Sequence, residues 1–179
     1  MGLLDSILNA SGESTPNYGK KGTYIGTLRR MRLRDPSEPG ANPDLKAGFR
    51  VDIDVIHCSR PEKDFNRGDI ATFTDPFKYP GTALARVRRA AANAKACKTG
   101  VPVSEADFGL VKGESESAED FAKRVKAEVK RVLGPDAPCN GAIVKIIATE
   151  GKNQTTGKPY TLFDLEIPTE DDLKIAGLI

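Results

Sequence analysis

The chain has 179 residues, the length of one domain of ordinary size, so we expect a single folded core. Hydrophobic residues make up 39% and charged residues 29% of the sequence, values that exclude a largely disordered protein. The formal net charge of +2 is too small to indicate a nucleic-acid-binding protein by itself. Its distribution is uneven, because basic residues outnumber acidic ones over residues 1–100 and acidic residues predominate over 101–179.

The cysteines and the hydropathy indicate whether the protein belongs to the disulfide-stabilised, metal-binding or membrane proteins. Cys58, Cys97 and Cys139 are widely separated and contain no CxxC pair, so the sequence indicates neither a disulfide framework nor a zinc site, and we expect no metal or cofactor. No run approaches the roughly 18 apolar residues of a membrane span, and no basic stretch precedes the first leucines. We therefore expect a cytoplasmic protein without membrane contacts.

Residues 1–19 are predicted to lead into the main domain. An apolar stripe at the start predicts a short helix that docks on the body or on a neighbouring subunit. Residues 9–20 are rich in Ser, Gly, Asn and Pro, which is typical of an irregular segment. The stripe consists of Leu3, Leu4, Ile7 and Leu8.

Two long strands are predicted next. Residues 23–34 combine β-branched and aromatic residues, and Gly26 and the Arg29-Arg30 pair predict a bend or bulge. Residues 35–46 contain three prolines and predict a surface loop. Residues 47–58 alternate apolar and charged side chains, as a half-buried strand does. The period-two residues are Ile25, Thr27, Met31 and Leu33 on the first strand, and Phe49, Val51, Ile53 and Val55 on the second.

A third strand is predicted at 67–75, after which the period changes. Residues 81–98 carry apolar side chains at helical spacing. A second helix begins at a capping box, in which Ser117 precedes Asp120 by three residues, and ends before the Gly-Pro pair at 134–135. The predicted buried stripes are Leu84, Val87, Ala91 and Ala94 in the first helix, and Phe121, Val125, Val129 and Val132 in the second.

The last third of the chain predicts a hairpin and a terminal helix. Strands at 140–150 and 158–168 flank a polar loop. Residues 169–179 are acidic and then apolar, and a capping box from Thr169 to Asp172 predicts a short helix that packs Leu173 and Ile175 on the barrel.

The order of three strands, a helical insertion and a hairpin predicts a mainly β protein with α insertions. We expect a five-stranded OB-type Greek-key barrel, in which the helix lies between strands 3 and 4 and ligands bind the face of strands 2 and 3 and the adjoining loops. The predicted divisions are a lead-in at 1–19, the OB domain at 20–168 with a helical insertion at about 80–135, and a tail at 169–179.

Four segments carry a resemblance within residues 20–168: Gly22-Thr23-Tyr24, Ala47-Gly48-Phe49-Arg50-Val51, Thr74-Asp75-Pro76-Phe77 and Gly157-Lys158-Pro159-Tyr160. With them the chain resembles the OB-fold single-stranded-DNA-binding proteins encoded by bacteriophages. The resemblance implies a protein that is not an enzyme and that protects single-stranded DNA in replication or recombination, in a host cytoplasm. OB barrels also bind oligosaccharides and proteins.

The predicted barrel contains both groups that hold a single strand without sequence preference, namely cations for phosphates and aromatic faces for bases. Arginines crowd the first strand, Arg50 and Lys145 are expected to point outward, and Lys152 and Lys158 bracket the hairpin loop. Tyrosines are favoured because their hydroxyl groups seek water or a phosphate. The predicted DNA-binding residues are Tyr24, Arg29, Arg30, Arg32, Arg34, Arg50, Phe73, Phe77, Tyr79, Lys145, Lys152, Lys158 and Tyr160.

Each of these features has an alternative interpretation. The strand arginines are also typical of a solvated face that protects a sheet edge. The helix arginines are typical of any exposed amphipathic helix; they are Arg86, Arg88 and Arg89. The acidic and apolar tail is similar in order to the tails with which bacterial single-strand-binding proteins recruit replication proteins, so replication or recombination proteins are candidate partners. The rival function is a structural or adaptor protein, such as a virion component, and we expect a monomer or a small homo-oligomer.

No catalytic centre is predicted. His57 is the only histidine, and its neighbour Cys58 points to the opposite face of the strand. Asp52 and Asp54 share a face, as an acid/base or magnesium pair would, but beside Arg50 they are typical of polar outward positions. A metal-dependent hydrolase that uses these two carboxylates is the third alternative.

Overall fold

The computed structural model describes residues 17–34, 48–60, 65–76, 80–101, 112–133, 139–152 and 154–179. The predicted N-terminal helix and the loop at 35–46 lie outside these ranges. The elements in chain order are β1 (Gly22–Arg34), β2 (Gly48–Cys58), β3 (Ile70–Pro76), α1 (Pro80–Thr99), α2 (Ala118–Val132), β4 (Ile143–Lys152), β5 (Pro159–Glu166) and α3 (Glu170–Ile175).

The five strands form one open antiparallel sheet in the order β3-β2-β1-β4-β5. β1 is the central strand and pairs with β2 over nearly its whole length, whereas β4 pairs only with its first half, from Gly22 to Thr27. This architecture confirms the prediction of a mainly β protein built on five strands with few helices.

Two irregularities in the β1–β2 ladder confirm the predicted bulges. The register shifts between Ile25 and Gly26, and again between Leu28 and Arg30, where Arg29 has no partner across the ladder. At Gly26 the strands approach closely, since a Cβ atom there would lie 2.7 Å from the carbonyl oxygen of Asp54. Each bulge increases the local twist of the strand. The two bulges together bend β1 between its two partners.

The core lies on the inner face of the sheet and is rich in aromatic rings. The rings of Tyr24 and Phe73 meet edge to face with centroids 5.0 Å apart, and Phe73 also lies 5.6 Å from Phe163 of β5. Through this contact the two edge strands approach each other across the core. The period-two residues of β2, namely Phe49, Val51, Ile53 and Val55, are all buried, as predicted.

Both edges of the sheet are covered by other parts of the chain. At the β3 edge, the backbone N–H of Thr72 donates to Asn17 and that of Gly19 donates to Thr72. At the β5 edge, Arg86 and Asn93 of α1 donate to main-chain carbonyls of that strand. Unpaired edge groups invite association with other chains. These contacts satisfy part of both edges within the molecule.

The helices pack on the core by the predicted stripes. Leu84, Val87 and Ala94 of α1 are buried and Ala91 packs against the core, which confirms the stripe of the first helix. In α2, Val125 is buried and Phe121 packs against the core, while the side chains of Val129 and Val132 lie outside the described part. Ser117 Oγ accepts a hydrogen bond from the N–H of Asp120 at 3.0 Å, as the predicted cap requires.

The C-terminal helix α3 begins at the predicted capping box, in which Thr169 and Asp172 each bind the backbone of the other. The prediction that Ile175 packs on the barrel is wrong, because 64% of this residue is exposed. Instead α3 is tethered to the outer side of β4 by an ion pair between Asp172 and Lys145. None of the described helices is long and apolar enough to cross a membrane.

Candidate nucleic-acid interface

The outward side chains of β1, β2 and β3 form a polar surface that we call the arginine face. Residues opposite each other in an antiparallel ladder point to the same side of the sheet. The ladders place Arg30 opposite Asp52, Arg32 opposite Arg50, and Arg50 opposite Thr74. The arginine face consists of Arg30, Arg32 and Arg34 on β1, Arg50 and Asp52 on β2, and Thr72 and Thr74 on β3.

Asp52 lies at the centre of this face and binds both neighbouring strands. Its Oδ2 accepts a hydrogen bond from Arg30 Nε at 2.6 Å, and its Oδ1 accepts bonds from Arg50 Nε at 2.9 Å and from the Thr72 hydroxyl at 2.6 Å. Only 1% of the Asp52 side chain is exposed. Asp52 therefore points outward, as predicted, and is enclosed by its partners.

The electrostatics of Asp52 follow from these contacts. Burial raises the pKa of its carboxyl group, but hydrogen bonds from Arg30, Thr72 and Arg50 outweigh this effect, and the net pKa lies below the usual value. The carboxylate is thus fully ionised near neutral pH. Two guanidinium groups surround this one carboxylate, and Arg32 and Arg34 lie on the same face of the sheet.

Arg29 occupies the bulge of β1 and lies beside the arginine face. Its guanidinium donates to Asp54 Oδ1 at 3.1 Å, and both side chains are well exposed. This pair is a surface ion pair, which contributes little to stability. Asp54 and Asp52 are each bound by arginine, and neither belongs to a group of three or more potential metal ligands in the described part of the chain.

Tyr24 and Phe73 are not available for stacking, and the prediction that they bind DNA is wrong. Both rings lie in the core, with at most 2% of either residue exposed. The Tyr24 hydroxyl satisfies its hydrogen-bonding need inside the protein by donating to the Lys20 carbonyl at 2.8 Å. Burial is the main cause that raises the pKa of Tyr24 to about 12.

Arg50 and Lys145 point to the outer side of the sheet, as predicted, but only a small part of each side chain reaches solvent. Arg50 is 15% exposed and is paired with Asp52. Lys145 is 18% exposed and its Nζ lies 2.9 Å from Asp172 Oδ2. The bond from Lys145, followed by bonds from Thr169, lowers the pKa of Asp172 to about 2. Lys145 lies on β4, on the far side of β1 from β2, so it is not part of the arginine face.

The β4–β5 hairpin carries three further predicted residues, Lys152, Lys158 and Tyr160, and all three are exposed. Tyr160 is paired with Gly151, and a Cβ atom at Gly151 would lie 2.6 Å from the tyrosine ring. The ring therefore lies over the glycine backbone with 45% of the residue exposed. Because β4 runs antiparallel to the first half of β1, the hairpin extends beyond the start of β1, whereas the arginine face lies along its second half.

The structure also places an aromatic residue that the sequence analysis did not select. Tyr18 forms an isolated bridge with Thr72, so it lies at the edge of the arginine face, and 51% of it is exposed. Its position depends on the backbone bonds of residues 17 and 19 to β3, which no local sequence pattern announces. Phe77 and Tyr79, which were predicted to bind DNA, lie outside the described residues.

Two of the helix arginines, Arg86 and Arg88, serve the fold. Arg86 binds the buried Asp75 of β3 at 2.9 Å and the carbonyl of Phe163 on β5 at 2.9 Å, so it links the two edge strands. Arg88 pairs with Glu128 and thereby joins α1 to α2. These contacts explain two of the arginines of α1 without a nucleic acid.

No protein-family model matches the chain, and no curated protein matches its sequence. The geometry of the arginine face and of the hairpin remains as the guide to function.

Proposed function

We propose that this protein binds single-stranded DNA through the arginine face, with low sequence specificity and without catalysis, and protects the strand during replication or recombination. The observation that carries the proposal is the placement of Arg32 directly opposite Arg50. Like charges at directly opposite positions destabilise a sheet. The phosphates of a bound strand would interact with both guanidinium groups and reduce that repulsion.

The topology supports an OB-type barrel as the framework. The strand order β3-β2-β1-β4-β5, with α1 and α2 between β3 and β4 along the chain, is the order of a Greek-key barrel opened between its third and fifth strands. Phe73 and Phe163 bring these two strands together across the core. In OB barrels the face of strands 2 and 3 binds oligonucleotides. The arginine face covers the same two strands and the adjoining half of β1.

The aromatic component comes from Tyr18 and Tyr160. Tyr18 lies beside Thr72 at the edge of the arginine face, three strand spacings or about 14 Å from β1. Tyr160 offers one ring face at the hairpin, which also carries the exposed Lys152. Base stacking on an exposed ring tolerates any sequence, because every base has a π face. Few rings and many cations favour a binding mode dominated by phosphate contacts.

The test is fluorescence anisotropy of a labelled single strand of about 30 nucleotides, with a duplex as control, over a salt titration. We expect tight binding to the single strand that weakens steeply as salt rises. Arg32→Gln is expected to weaken it, whereas Lys123→Gln, which removes the same charge from an exposed position on α2, leaves it nearly unchanged. Absence of binding at low salt, or equal losses for both variants, would contradict the proposal.

A second candidate function is that of a structural or adaptor protein, and the C-terminal end favours it. Ile175 and Ile179 are 64% and 67% exposed and follow the acidic residues Glu170 and Asp171 along the chain. Exposed apolar patches that are rimmed by polar residues mark protein–protein interaction sites. We propose this end as the place where replication or recombination proteins dock. If adaptor binding were the sole function, oligonucleotide binding would be absent while a partner protein still bound the tail.

A further inference from the structure

We propose that Asp52 is a positioning residue of the arginine face, which holds Arg30 and Arg50 in fixed orientations for the phosphates of a bound single strand. The inference rests on the proposed function and assigns a role to a residue that does not itself contact DNA. Asp52 carries the same charge as DNA and lies at the centre of the face, so its presence there needs an explanation.

The carboxylate of Asp52 is enclosed by its arginine partners. Asp52 is 1% exposed while Arg30, its partner across the ladder, is 39% exposed. The negative group thus lies beneath the arginine layer and the positive group reaches solvent. A strand that approaches the face meets guanidinium groups before it meets the carboxylate.

The hydrogen bonds to Asp52 fix the orientation of both guanidinium groups. Both arginines bind the carboxylate through Nε, at 2.6 Å for Arg30 and 2.9 Å for Arg50. A guanidinium is planar and rigid, so a bond at Nε fixes the direction of its terminal nitrogens. The bond from Thr72 to Asp52 Oδ1, at 2.6 Å, in turn fixes the carboxylate. One side chain therefore orients two cations that belong to adjacent strands.

A third arginine of this face, Arg32, crowds Arg50. Arg32 lies directly opposite Arg50, where like charges repel. Without a carboxylate beneath it, the Arg50 side chain would move away from Arg32 and lose its orientation. Asp52 holds Arg50 at this crowded position. The conformational entropy of the Arg50 side chain is then already lost in the free protein, so it adds no cost when DNA binds.

A positioning role and a simple charge effect predict opposite changes in DNA affinity for Asp52→Asn. Asp52→Asn removes a negative charge from a cationic face, so a charge effect alone would tighten DNA binding and steepen its salt dependence. If Asp52 positions the two arginines, the variant binds about tenfold more weakly, because it lacks the charge-assisted hydrogen bonds that orient the cations. The slope of log K against log salt then falls by about 0.7 for each phosphate that the variant no longer binds.

Asp54→Asn is the matched control. Asp54 is also on β2 and also paired with an arginine, but its side chain is 40% exposed and its partner Arg29 is 52% exposed. The charge change is the same, and we expect slightly tighter binding. Equal behaviour of the two asparagine variants would overturn the positioning role.

Thr72→Val provides a second route if Asp52→Asn does not fold, because it leaves every charge in place. It removes only the hydroxyl, which donates to Asp52 Oδ1 at 2.6 Å and accepts a longer bond from Arg50 Nη2 at 3.4 Å. We expect about threefold weaker binding. Unchanged binding in this variant, with the fold intact by circular dichroism, would also contradict the proposal.

A measurement without DNA separates the failure of this inference from the failure of the proposed function. In ¹H–¹⁵N spectra, the Nε–H groups of Arg30 and Arg50 are expected to be protected from exchange with water in the native protein, and this protection is expected to disappear in Asp52→Asn. Lack of protection in the native protein overturns the positioning role alone. Protected signals in a protein that binds no single strand overturn the DNA-binding function, and the positioning role with it.

Discussion

Arg32 of β1 lies directly opposite Arg50 of β2 in the antiparallel ladder, at a position where a protein selected for stability alone would place opposite charges. The next pair along the ladder is Arg30 with Asp52, whose carboxylate also binds Arg50. The sheet thus contains one pair of like charges, Arg32 and Arg50, beside a carboxylate that compensates one of them. Such a local conflict is typical of a binding surface.

The first prediction is that this pair opposes stability and supports binding. Arg32→Thr removes the repulsion and introduces a good strand former, so the free energy of unfolding should stay equal or rise by about 0.2–1 kcal/mol. Single-strand affinity should fall in the same variant. Urea unfolding and anisotropy measure the two effects. A variant that loses stability and keeps its affinity would show that Arg32 serves the fold.

The second prediction concerns Tyr18, which lies beside Thr72 with half of its surface exposed. Tyr18→Ala should weaken single-strand binding by about 1–3 kcal/mol, the contribution of one stacked base, while Tyr18→Phe retains the ring and most of the affinity. Quenching of tyrosine fluorescence by the oligonucleotide provides an independent measurement, because the protein has no tryptophan. Equal affinities of the Ala and Phe variants would rule out stacking at this position.

The sequence predicts the strands well because alternation is a local property. On β2 every period-two residue from Phe49 to Val55 is buried. On β1 the same rule holds for Met31 but not for Ile25, which is buried outside the main core cluster, while its neighbour Tyr24 belongs to that cluster. The bulge at Arg29 shifts the phase of the strand by one residue. A bulge can be predicted from sequence. The sequence does not show which side of the sheet the residues before and after the bulge will face.

The candidate site is less predictable, because it depends on contacts between distant residues. The arginines of β1 were found by their crowding in the sequence. The burial of Asp52 depends on Arg30 and Thr72 from two other strands, and the position of Tyr18 depends on backbone bonds to β3. Tyr24 was misjudged for the same reason, since its hydroxyl finds a partner in Lys20 and not in solvent.

The third prediction follows from the position of the hairpin at the end of β1 away from the arginine face. A short oligonucleotide that covers the arginine face does not reach Tyr160, whereas a longer one does. The double variant Lys152→Gln, Tyr160→Ala should therefore weaken binding of a strand of about 30 nucleotides. It should leave unchanged the binding of a strand of about 6 nucleotides, a length within the range of OB-fold site sizes. A loss of affinity that is the same for both lengths would place the hairpin next to the arginine face.

The fourth prediction compares two aspartates with opposite pKa shifts. Arg30, Thr72 and Arg50 hold the pKa of Asp52 below its ordinary value of 3.8 despite burial. For Asp75, burial raises the pKa above 3.8, and Asp164 adds to this effect while Arg86 opposes it. Ionised Asp52 therefore stabilises the folded state, and ionised Asp75 opposes it.

The sign of the pH dependence differs accordingly. The contribution of Asp52 is present above pH 3.8, the value of its unfolded pKa, and is lost as the pH falls through its lower folded pKa, because the unfolded state then binds the proton more readily. At Asp75 the folded state binds a proton more readily than the unfolded state. The contribution of protonated Asp75 to the free energy of unfolding therefore declines as the pH rises above 3.8 through the higher folded pKa.

Two substitutions test this contrast at pH 7. Asp52→Asn should lower the free energy of unfolding by about 3 kcal/mol, the low end for breaking a buried ion pair, because Arg30 remains partly exposed. Asp75→Asn should cost less, since Arg86 keeps its bond to the Phe163 carbonyl. In urea unfolding from pH 7 to pH 3, the deficit of Asp52→Asn should shrink toward acid. A deficit of Asp52→Asn that stays constant over this range would show that its carboxylate is not stabilised by the two arginines.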